Sequence, residues 1–544
     1  MMQFAGLLCV LAFAALQGCE AQGLPLADIS TVADGAQALG HVIDNLDQPI
    51  PTISLEGSRP YKKLPLSNSS PGSLKGPIKA GPGKYFYDQH GRVVIMRGLN
   101  VLPSAKVPDF EPIKDLSTLD TIKPYGVNAV RLLFIWEAWE TSPNVYDASY
   151  LAYYDGVVNY LWQQLGIKSI VDVHQDGLSR YLLRGCGDGF PRWWLLKVVN
   201  ESQLATPDNG NGCLIWPLYE LQQARNPASP LYTVYNAFYS NHAGMKSDYF
   251  RLWDKLSAHF AANSGVLGFD LFNEPLEVPR NFSIIQVYDE LAPTIRKNAP
   301  DSLILSSPNV ITGLGNISDF PQDVPTYNNT AYAGHFYPNQ AVGSTAQRIC
   351  GGAMLNQEMT AFQSAAADQW DSPWFVGEFG ISPSVCIGQD TTTTAQGYIQ
   401  NVYAAMNALL LSGTQWDWAY WTKAKKDGFD GINLSVVDQN FNIRSNYAVW
   451  PYVQAFGGVP GSMHVDPLLL TFSASWEVTM AIFALGGPAV QTEIFVPLPF
   501  FNAKSWQGVK IEGSQGLTCA GSDDLITVTC VATQAGSYNV KISA

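Results

Sequence analysis

Two glutamates, each at the end of a short apolar run, are the residues whose type and position in this chain best suit chemistry. Glu274 stands in LFNEP at 271–275, and Glu378 stands in WFVGEFG at 374–380. Each run predicts a buried parallel strand, so each carboxyl group emerges where a strand opens into a loop, where barrel enzymes hold their catalytic groups. One carboxyl group can protonate a glycosidic oxygen while the other attacks the sugar from its opposite face. The alternative is that each glutamate caps a helix or pairs with an arginine.

Length and composition limit the classes of protein to consider. A chain of 544 residues is long enough for a barrel of roughly 250 residues or more and a further domain. Aromatic residues make up 12%, with 15 Trp, which suits sugar-stacking surfaces as well as ordinary cores. The net charge of −14, without clusters of Lys and Arg, argues against nucleic acid as a partner.

The first 21 residues resemble an export signal. Residues 5–16 are apolar but too few to span a bilayer, and Ala21 is a small residue suited to cleavage before Gln22. LQGC at 16–19 also resembles a bacterial lipoprotein signal, in which Cys19 would carry a lipid. Asn-X-Ser/Thr sequons favour instead a eukaryotic protein secreted to the cell exterior or the secretory or endolysosomal lumen. They lie at Asn68, Asn200, Asn281, Asn316, Asn328 and Asn433.

The cysteines predict disulfides rather than a metal site. Without the signal, six remain, and an even number in a secreted chain favours disulfide pairing. No Cys-X-X-Cys occurs, which argues against zinc. Their grouping suggests the pairs Cys186–Cys213, Cys350–Cys386 and Cys519–Cys530.

From residue 93 onward, short apolar runs alternate with longer stretches of helical spacing. Such strand and helix units predict an α/β fold, a closed (β/α)8 barrel at 83–460. An open doubly wound sheet is the alternative, but no glycine-rich phosphate loop follows the first run. Eight runs lie at 93–100, 127–134, 167–176, 266–274, 303–307, 332–337, 374–378 and 414–421. Helical spacing occurs at 150–165, 248–262, 285–298 and 395–411.

Three other segments complete the organisation. Residues 22–82, rich in Pro, Ser and Gly, predict a leader that wraps the main domain or a removable pro-segment. Roughly 70 residues at 177–246 form a connection long enough for a lid or a specificity wall, or for a surface decoration held by a disulfide. Alternating strands at 461–544 predict a small β-sandwich, and VPLPFF at 496–501 is expected to pack rather than to meet lipid.

These motifs resemble glycoside hydrolase family 5, and within it the endoglycoceramidase branch. Asn-Glu-Pro after the fourth predicted strand and Glu-Phe-Gly after the seventh match the family's acid/base and nucleophile positions. The resemblance covers about 93–455 and extends to the C-terminal sandwich. The branch rests on DVHQD at 172–176, on the cysteine-containing insertion after it, and on QTEIF at 491–495.

The resemblance implies roles for further side chains. Arg131 matches the arginine that keeps the nucleophile ionised, although a structural salt bridge would be the same contact. Tyr337 is expected to hydrogen-bond the nucleophile, and His335 shares its strand. His174 matches a histidine near the catalytic centre. Each histidine is alternatively an ordinary core residue.

An aromatic platform under the sugar is also implied. Trp421, at the end of the eighth predicted strand, matches the family tryptophan. Trp416 and Trp418 lie on the same side of that strand by alternation and compete for the role.

Polar residues near the strand ends are further candidates for sugar binding. Asn273, beside Glu274, is expected to donate to the sugar 2-hydroxyl. Burial and a second carboxylate would keep Glu274 protonated near neutral pH. Asp176 suits charge-assisted hydrogen bonds to hydroxyls. Lys106 is a candidate from the first loop. No metal cluster or nucleotide loop accompanies them, so the reaction is expected to need neither cofactor nor metal.

The resulting expectation is a retaining endo-glycosidase that separates an oligosaccharide from ceramide in glycosphingolipids, with transient contact to a membrane surface. A family 5 β-glucanase, a glucosylceramidase and a non-catalytic carbohydrate- or lipid-binding barrel are the alternatives. Because each buried methylene contributes about 0.8 kcal/mol, ceramide needs an apolar groove. The expected sources are the segment after Trp421 and the insertion, through Phe190, Trp193, Trp194, Leu214, Ile215 and Trp216.

Overall fold

A closed barrel of eight parallel strands forms the centre of the molecule. In space the strands follow the order sixth, fifth, fourth, third, second, first, eighth, seventh. Parallel bridges at Tyr332–Trp374 and Phe336–Phe379 join the sixth to the seventh. This confirms the predicted (β/α)8 fold. In chain order the strands are Arg97–Val101, Ala129–Phe134, Lys168–Val173, Val266–Asp270, Leu303–Ser306, Thr330–Tyr332, Phe375–Val376 and Ser412–Trp418.

The computed structural model describes residues 74–544 except 102, 208–215, 280, 314–316, 338–354, 382–394, 420–433, 439 and 525. In the described ranges, no helix is long and apolar enough to cross a membrane. Cys350 and Cys386 fall outside them, so that predicted pair lies outside the described residues.

Several predicted strands continue beyond the observed ones. Residues 174–176, 271–274, 333–337 and 377–378 lie past the strand ends, on the loops that follow. The chemistry-bearing side chains therefore stand on the carboxyl edge of the barrel, because parallel strands all end on one edge.

Helices cover the outside of the barrel, close to their predicted positions. Buried apolar residues recur at helical spacing along the inner face of Ile284–Asn298, for example Ile285, Tyr288, Leu291 and Ile295. The helices that follow the strands include Ala148–Tyr160, Met245–Phe260, Ile284–Asn298, Leu355–Gln369 and Ala395–Ala408.

Two antiparallel sheets pack around a separate apolar core at the C-terminal end of the chain. One contains Val459–Asp466, Thr471–Val478, Lys510–Gly513 and Gly536–Ser543. The other contains Lys79–Ala80, Phe86–Tyr87, Val93–Val94, Tyr452–Phe456, Gln491–Phe495, Leu517–Gly521 and Thr527–Ala532. This second sheet takes strands from before residue 461, so the sandwich is built from both ends of the barrel sequence. Consistent with the expected packing of VPLPFF, Val496, Leu498 and Phe501 are buried.

The predicted first strand at 93–100 is two strands. Val93–Val94 pairs in the sandwich, whereas Arg97–Val101 belongs to the barrel. In the sequence the two strands look like one apolar run, because the sandwich strand and the barrel strand are both buried. Just before it, Leu74 and Ile78 are almost fully buried among residues at the start of the barrel strands, including Ile170 and Leu303. Residues 74–78 therefore close the amino-terminal end of the barrel.

In the long connection after the third strand, Phe190 and Trp194 pack into the core. Phe190 and Trp194 are fully buried, and both contact Trp136 at ring-centroid distances of 5.1 and 5.7 Å. Trp193 is half-buried, and its Nε1 donates to the carbonyl of Glu140 at 2.8 Å. The expectation that Phe190 and Trp194 face ceramide was wrong, because both rings are buried in the core. Leu214, Ile215 and the side chain of Trp216 lie outside the described residues.

Two cysteine predictions fall partly or wholly on described residues. Cys519 and Cys530 form a disulfide across adjacent strands, as predicted. Cys186 is also disulfide-bonded; its expected partner, Cys213, lies outside the described residues.

Candidate active site

Arg131 is fully buried at the centre of the strand ends and organises the polar residues around it. Its Nε donates to Asp270 Oδ2 at 2.8 Å, and its Nη2 donates to Asp172 Oδ1 at 2.9 Å and to Asn273 Oδ1 at 2.8 Å. Its Nη1 donates to Asn100 Oδ1 at 3.1 Å. Burial opposes its charge, but the surrounding carboxylates more than compensate and hold the pKa of Arg131 above its ordinary value. The guanidinium is therefore a fixed cation in a fully hydrogen-bonded environment.

Two side chains hydrogen-bond Glu378, and a third lies nearby. Arg131 Nη1 donates to its Oε1 at 2.8 Å, and the hydroxyl of Tyr337 donates to its Oε2 at 3.1 Å. His335 Nδ1 lies 3.6 Å from Oε2. A carboxylate that accepts charge-assisted hydrogen bonds is stabilised in its ionised form, which suits a nucleophile.

Glu274 has a different environment. Its Oε1 shares a 2.7 Å hydrogen bond with His335 Nδ1, and part of the side chain is open to the cleft. Burial, together with the negative charge of Asp176, raises the pKa of Glu274 to about 7. Its backbone lies in the left-handed region at φ 41°, where Gln175 Nε2 donates to the carbonyls of Asn273 and Glu274 at 2.6 and 3.0 Å. A non-glycine residue held in this backbone conformation costs about 1–3 kcal/mol of stability, and such strain is typical of functional sites.

The two glutamates face each other across a short gap. One carboxyl oxygen of Glu274, one of Glu378 and a ring nitrogen of His335 all lie within 4.8 Å of one another. A small open depression adjoins Glu274 and His335 and is lined by Ser307, Pro308, Asn309 and Val310.

A second polar group, formed by Lys106, His174 and Asp176, lies beside the glutamates. Lys106 forms an ion pair with Asp176, and His174 Nδ1 lies 2.6 Å from Asp172 Oδ2. Burial opposes a charge on His174, but the negative charge of Asp172 raises its pKa to about 9. The lysine lowers the pKa of the buried Asp176 below its ordinary value. At neutral pH this group therefore presents two cations and a carboxylate.

One tryptophan of the eighth strand reaches this group. Trp416 is partly exposed, stacks on His174 at a centroid distance of 5.5 Å, and lies 4.6 Å from Lys106 Nζ. Trp418 is buried and stacks on Phe441. Trp421, the first candidate for the platform, lies outside the described residues. Among the described tryptophans of this strand, Trp416 is the one positioned to contact a sugar.

Asn273 is more constrained than the sequence indicated. Its Oδ1 accepts from Arg131, and its Nδ2 donates to the carbonyl of Gln175 at 2.9 Å. Nδ2 also lies 3.5 Å from His174 Nε2. One amide N–H is therefore committed to the backbone, and the other faces His174.

Sequence reasoning missed Asp172, Asp270 and Gln175 as members of this site. Asp172 and Asp270 are polar residues inside apolar parallel strands, opposite one another in register. Buried carboxylates must be paired, so an aspartate inside each of two apolar runs, in a chain that also has Arg131 inside such a run, was the signal that could have found them. Gln175 carried no such signal, because its contacts are to backbone carbonyls of a loop.

Neither cluster of potential metal donors in the described ranges suits a metal ion. In the cluster of His174, Asp176 and Asp188, the ammonium group of Lys106 already provides the positive charge. In the cluster of Glu274, His335 and Glu378, Arg131 already neutralises Glu378.

Comparisons with known proteins agree with the barrel fold. The chain resembles endo-glycoceramidase II from Rhodococcus sp., with a TM-score of 0.65 and 23% identity over 85% of this chain and 99% of that one. It also resembles Cryptococcus neoformans sterylglucosidase 1, with a TM-score of 0.68 and 15% identity over 87% of this chain and 98% of that one. At these identities the likeness shows the fold.

Sequence relatives match shorter stretches. A glucosylceramidase from Rhizopus delemar is 24% identical over 242 residues, which is 36% of this chain and 35% of that protein. An endoglycoceramidase from Cyanea nozakii is 23% identical over 199 residues, 34% of this chain and 38% of that protein. The chain thus spans little more than a third of these relatives. The family model Cellulase (glycosyl hydrolase family 5) matches residues 87–422, and the chain therefore belongs to glycosyl hydrolase family 5.

Proposed function

We propose that the protein is a retaining endo-glycosidase that hydrolyses the β-glycosidic bond between an oligosaccharide and ceramide. The observation that carries the retaining mechanism is the approach of Glu274 and Glu378, with carboxyl oxygens within 4.8 Å. Retaining glycosidases separate their carboxyl groups by about 5–5.5 Å, whereas inverting ones leave about 6.5–9.5 Å for a water molecule.

The environments of the two carboxyl groups support different roles for them. Glu378, held by Arg131 and Tyr337, attacks the anomeric carbon and forms a covalent glycosyl-enzyme intermediate. Glu274, with its pKa raised to about 7, donates its proton to the departing glycosidic oxygen. In the second step Glu274 takes a proton from water, which attacks the same carbon and releases Glu378. The β configuration is thereby restored.

The group beside the glutamates supplies sugar recognition in this proposal. Asp176 and Lys106 bind hydroxyls through charge-assisted hydrogen bonds, and Asn273, whose second amide N–H faces His174, lies beside them. Trp416 provides an aromatic face next to them. Stacking and directed hydrogen bonds together fix the orientation of a pyranose ring.

The substrate class is supported by relatives. The solved structures of Rhodococcus endo-glycoceramidase II include a ganglioside GM3 complex and a lactosyl-enzyme intermediate. Endoglycoceramidases from Cyanea nozakii and Hydra vulgaris are among the sequence relatives. Applied to this chain, these likenesses favour a glycosphingolipid over a polysaccharide such as a β-glucan.

A glucosidase that releases a single glucose from a lipid is the second candidate. Glucosylceramidases are also among the sequence relatives, and a sterylglucosidase has the same fold. The catalytic pair is the same in both proposals. They differ in whether the cleft accepts a second sugar on the non-reducing side.

Product analysis separates these candidates. The protein is incubated with ganglioside GM3, lactosylceramide, glucosylceramide and a soluble β-glucan, and the products are identified by mass spectrometry. The proposal expects intact oligosaccharide and ceramide from the first two substrates. Cleavage of glucosylceramide alone would support the glucosidase, hydrolysis of β-glucan alone would support a glucanase, and no hydrolysis would support a binding protein.

We also propose that the protein is secreted and N-glycosylated. Three of its sequons, at Asn200, Asn281 and Asn328, lie on described residues and all three are exposed. Expression in a eukaryotic host should place the protein in the medium with a mass that falls on treatment with a peptide N-glycosidase. Retention inside the cells at the unmodified mass would contradict this.

Transient membrane contact completes the proposal, since ceramide lies in a bilayer. Leu468 and Leu469 form the tip of a hairpin in the sandwich and are 91% and 72% exposed. Because the protein carries a net charge of −14, we expect binding to uncharged phosphatidylcholine vesicles that is insensitive to salt. The double variant Leu468→Ser, Leu469→Ser should bind less, whereas Lys541→Ser should bind as the parent does. Equal vesicle binding by all three proteins would contradict a role for this hairpin.

A further inference from the structure

Asp188 is a fully buried carboxyl group to which the reaction assigns no role. It lies in the long connection after the third barrel strand, and in the described part of the chain neither of its carboxyl oxygens has a hydrogen-bond donor. An oxygen of Asp188, one of Asp176 and a ring nitrogen of His174 all lie within 4.8 Å of one another. A buried polar group without a donor is costly, so its position requires an explanation.

The backbone holds Asp188 against the strand end. Its N–H donates to the carbonyl of Asp176 at 2.8 Å. Glycines flank it because the two segments approach too closely for side chains. A Cβ on Gly187 would lie 2.2 Å from the carbonyl oxygen of Ser179, and one on Gly189 would lie 2.4 Å from that of His174. The local sequence thus brings this carboxyl group next to Asp176.

The charges around Asp188 do not provide it with a full counter-ion. From the first loop, Lys106 Nζ lies 3.9 Å from Asp188 Oδ2 but forms its close ion pair with Asp176. From the end of the third strand, His174 is shared between Asp172 and Asp176. Glu220, on the helix Trp216–Ala224, is another buried carboxyl group near Asp176.

Two ionised carboxylates this close repel each other, and neither can donate a hydrogen bond. A proton on Asp188 removes the repulsion, and the resulting O–H group can donate a hydrogen bond to Asp176. Burial and the negative charge of Asp176 both raise the pKa of Asp188 well above its ordinary value.

We propose that Asp188 is a protonated carboxylic acid that donates a hydrogen bond to Asp176 and acts as the positioning residue for the Lys106–Asp176 pair. Its effect on turnover rests on the proposed function, in which that pair binds sugar hydroxyls. The protonation of Asp188 does not rest on the proposed function, because it follows from burial and from the contact with Asp176 alone.

Two variants separate the hydrogen bond from the charge. Asp188→Asn retains a donor at nearly the same volume but cannot ionise. Asp188→Leu fills a similar volume without a donor. Hydrolysis of a soluble aryl β-glucoside at pH 6 should show a KM for Asp188→Asn within about twofold of the parent. Asp188→Leu should raise KM at least about tenfold with a smaller change in kcat, because sugar binding loses its positioned carboxylate. Equal damage in both variants would overturn the proposal.

Thermal unfolding tests the protonation without any activity. In the unfolded chain Asp188 ionises near its ordinary pKa, about 3.9, while the folded protein retains the proton. The folded parent therefore binds more protons, and this contribution to its stability is lost as pH rises toward the folded pKa. Asp188→Asn has no ionisable group at this position, so it does not lose this contribution to stability as pH rises. The Tm of Asp188→Asn should rise relative to the parent between pH 5 and pH 8.

A constant Tm difference would overturn the proposal. If Asp188 were ionised and paired with Lys106, it would be ionised in both the folded and the unfolded chain above about pH 5, so the Tm of Asp188→Asn would lie below that of the parent by the same amount from pH 5 to pH 8. If the relative Tm of Asp188→Asn rises as expected but the parent hydrolyses no glycoside, the proposed function is contradicted. The protonation of Asp188 is then still supported.

Discussion

His335 Nδ1 contacts both catalytic candidates, at 2.7 Å from Glu274 Oε1 and 3.6 Å from Glu378 Oε2. Burial lowers the pKa of His335, so the ring is neutral and does not fix a charge on either partner. The difference between the glutamates instead arises from Arg131, which contacts Glu378 directly. The site thus places a carboxyl group whose pKa is raised to about 7 within a few ångströms of one that accepts a hydrogen bond from a buried guanidinium.

Glu378→Gln should abolish turnover while the fold survives. The amide has nearly the same volume, and its oxygen can still accept from Arg131 while its NH2 group donates to the Tyr337 hydroxyl, but it cannot form the glycosyl-enzyme bond. The measurement is hydrolysis of an aryl β-glucoside together with a thermal melt. Activity within tenfold of the parent would show that another group is the nucleophile.

Glu274→Ala should respond to the leaving group. With a poor leaving group the loss should be about 10²–10⁴-fold, the usual contribution of general acid catalysis. With a good leaving group, added azide should restore part of the turnover, because it replaces the water that Glu274 would activate. Azide rescue of a Glu378 variant instead would mean that the roles are exchanged.

The pH dependence follows from the raised pKa of Glu274. The acid must be protonated to act, so kcat/KM should fall as pH rises through about 7. Glu274→Gln should lose this alkaline limb on a substrate whose leaving group needs no protonation. A limb that persists unchanged in the variant would have to come from a different group.

Trp416 and Trp418 form a matched pair for testing the platform. Trp416→Ala should raise KM by up to about tenfold, since an aromatic stacking contact is worth about 0.5–1.5 kcal/mol, with little loss of stability. Trp418→Ala should lower the free energy of unfolding by about 3–5 kcal/mol, because it leaves a cavity beside Phe441. Kinetic assays and denaturant unfolding distinguish the two. A destabilised Trp416→Ala with normal KM would remove Trp416 from the site.

The burial of Leu74 and Ile78 limits what can be removed from the leader. Leu74→Ala and Ile78→Ala should each lower the free energy of unfolding by about 2–5 kcal/mol, whereas exposed Lys75→Ala should change it by less than about 0.5 kcal/mol. Removal of residues 22–73 should then preserve the melting temperature, and removal of 22–82 should lower it. Equal melting temperatures for both truncations would contradict a structural role for 74–78.

The barrel and the meeting of Glu274, Glu378 and Arg131 could be predicted because parallel strands end on one edge. Apolar runs with polar residues at their ends carry that information locally. The sequence could not show that Phe190 and Trp194 point inward, since an aromatic residue is equally suited to a core and to a lipid groove. Asp188 was missed because its partner, Asp176, is close through a loop contact that no spacing rule encodes.

The most direct test of the account is the first product formed from lactosylceramide, followed by proton NMR before mutarotation. The separation of Glu274 and Glu378 within 4.8 Å and the proposed endo cleavage together predict β-lactose and ceramide as the initial products. Initial α-lactose would contradict the retaining mechanism, and free galactose or glucose would contradict endo cleavage.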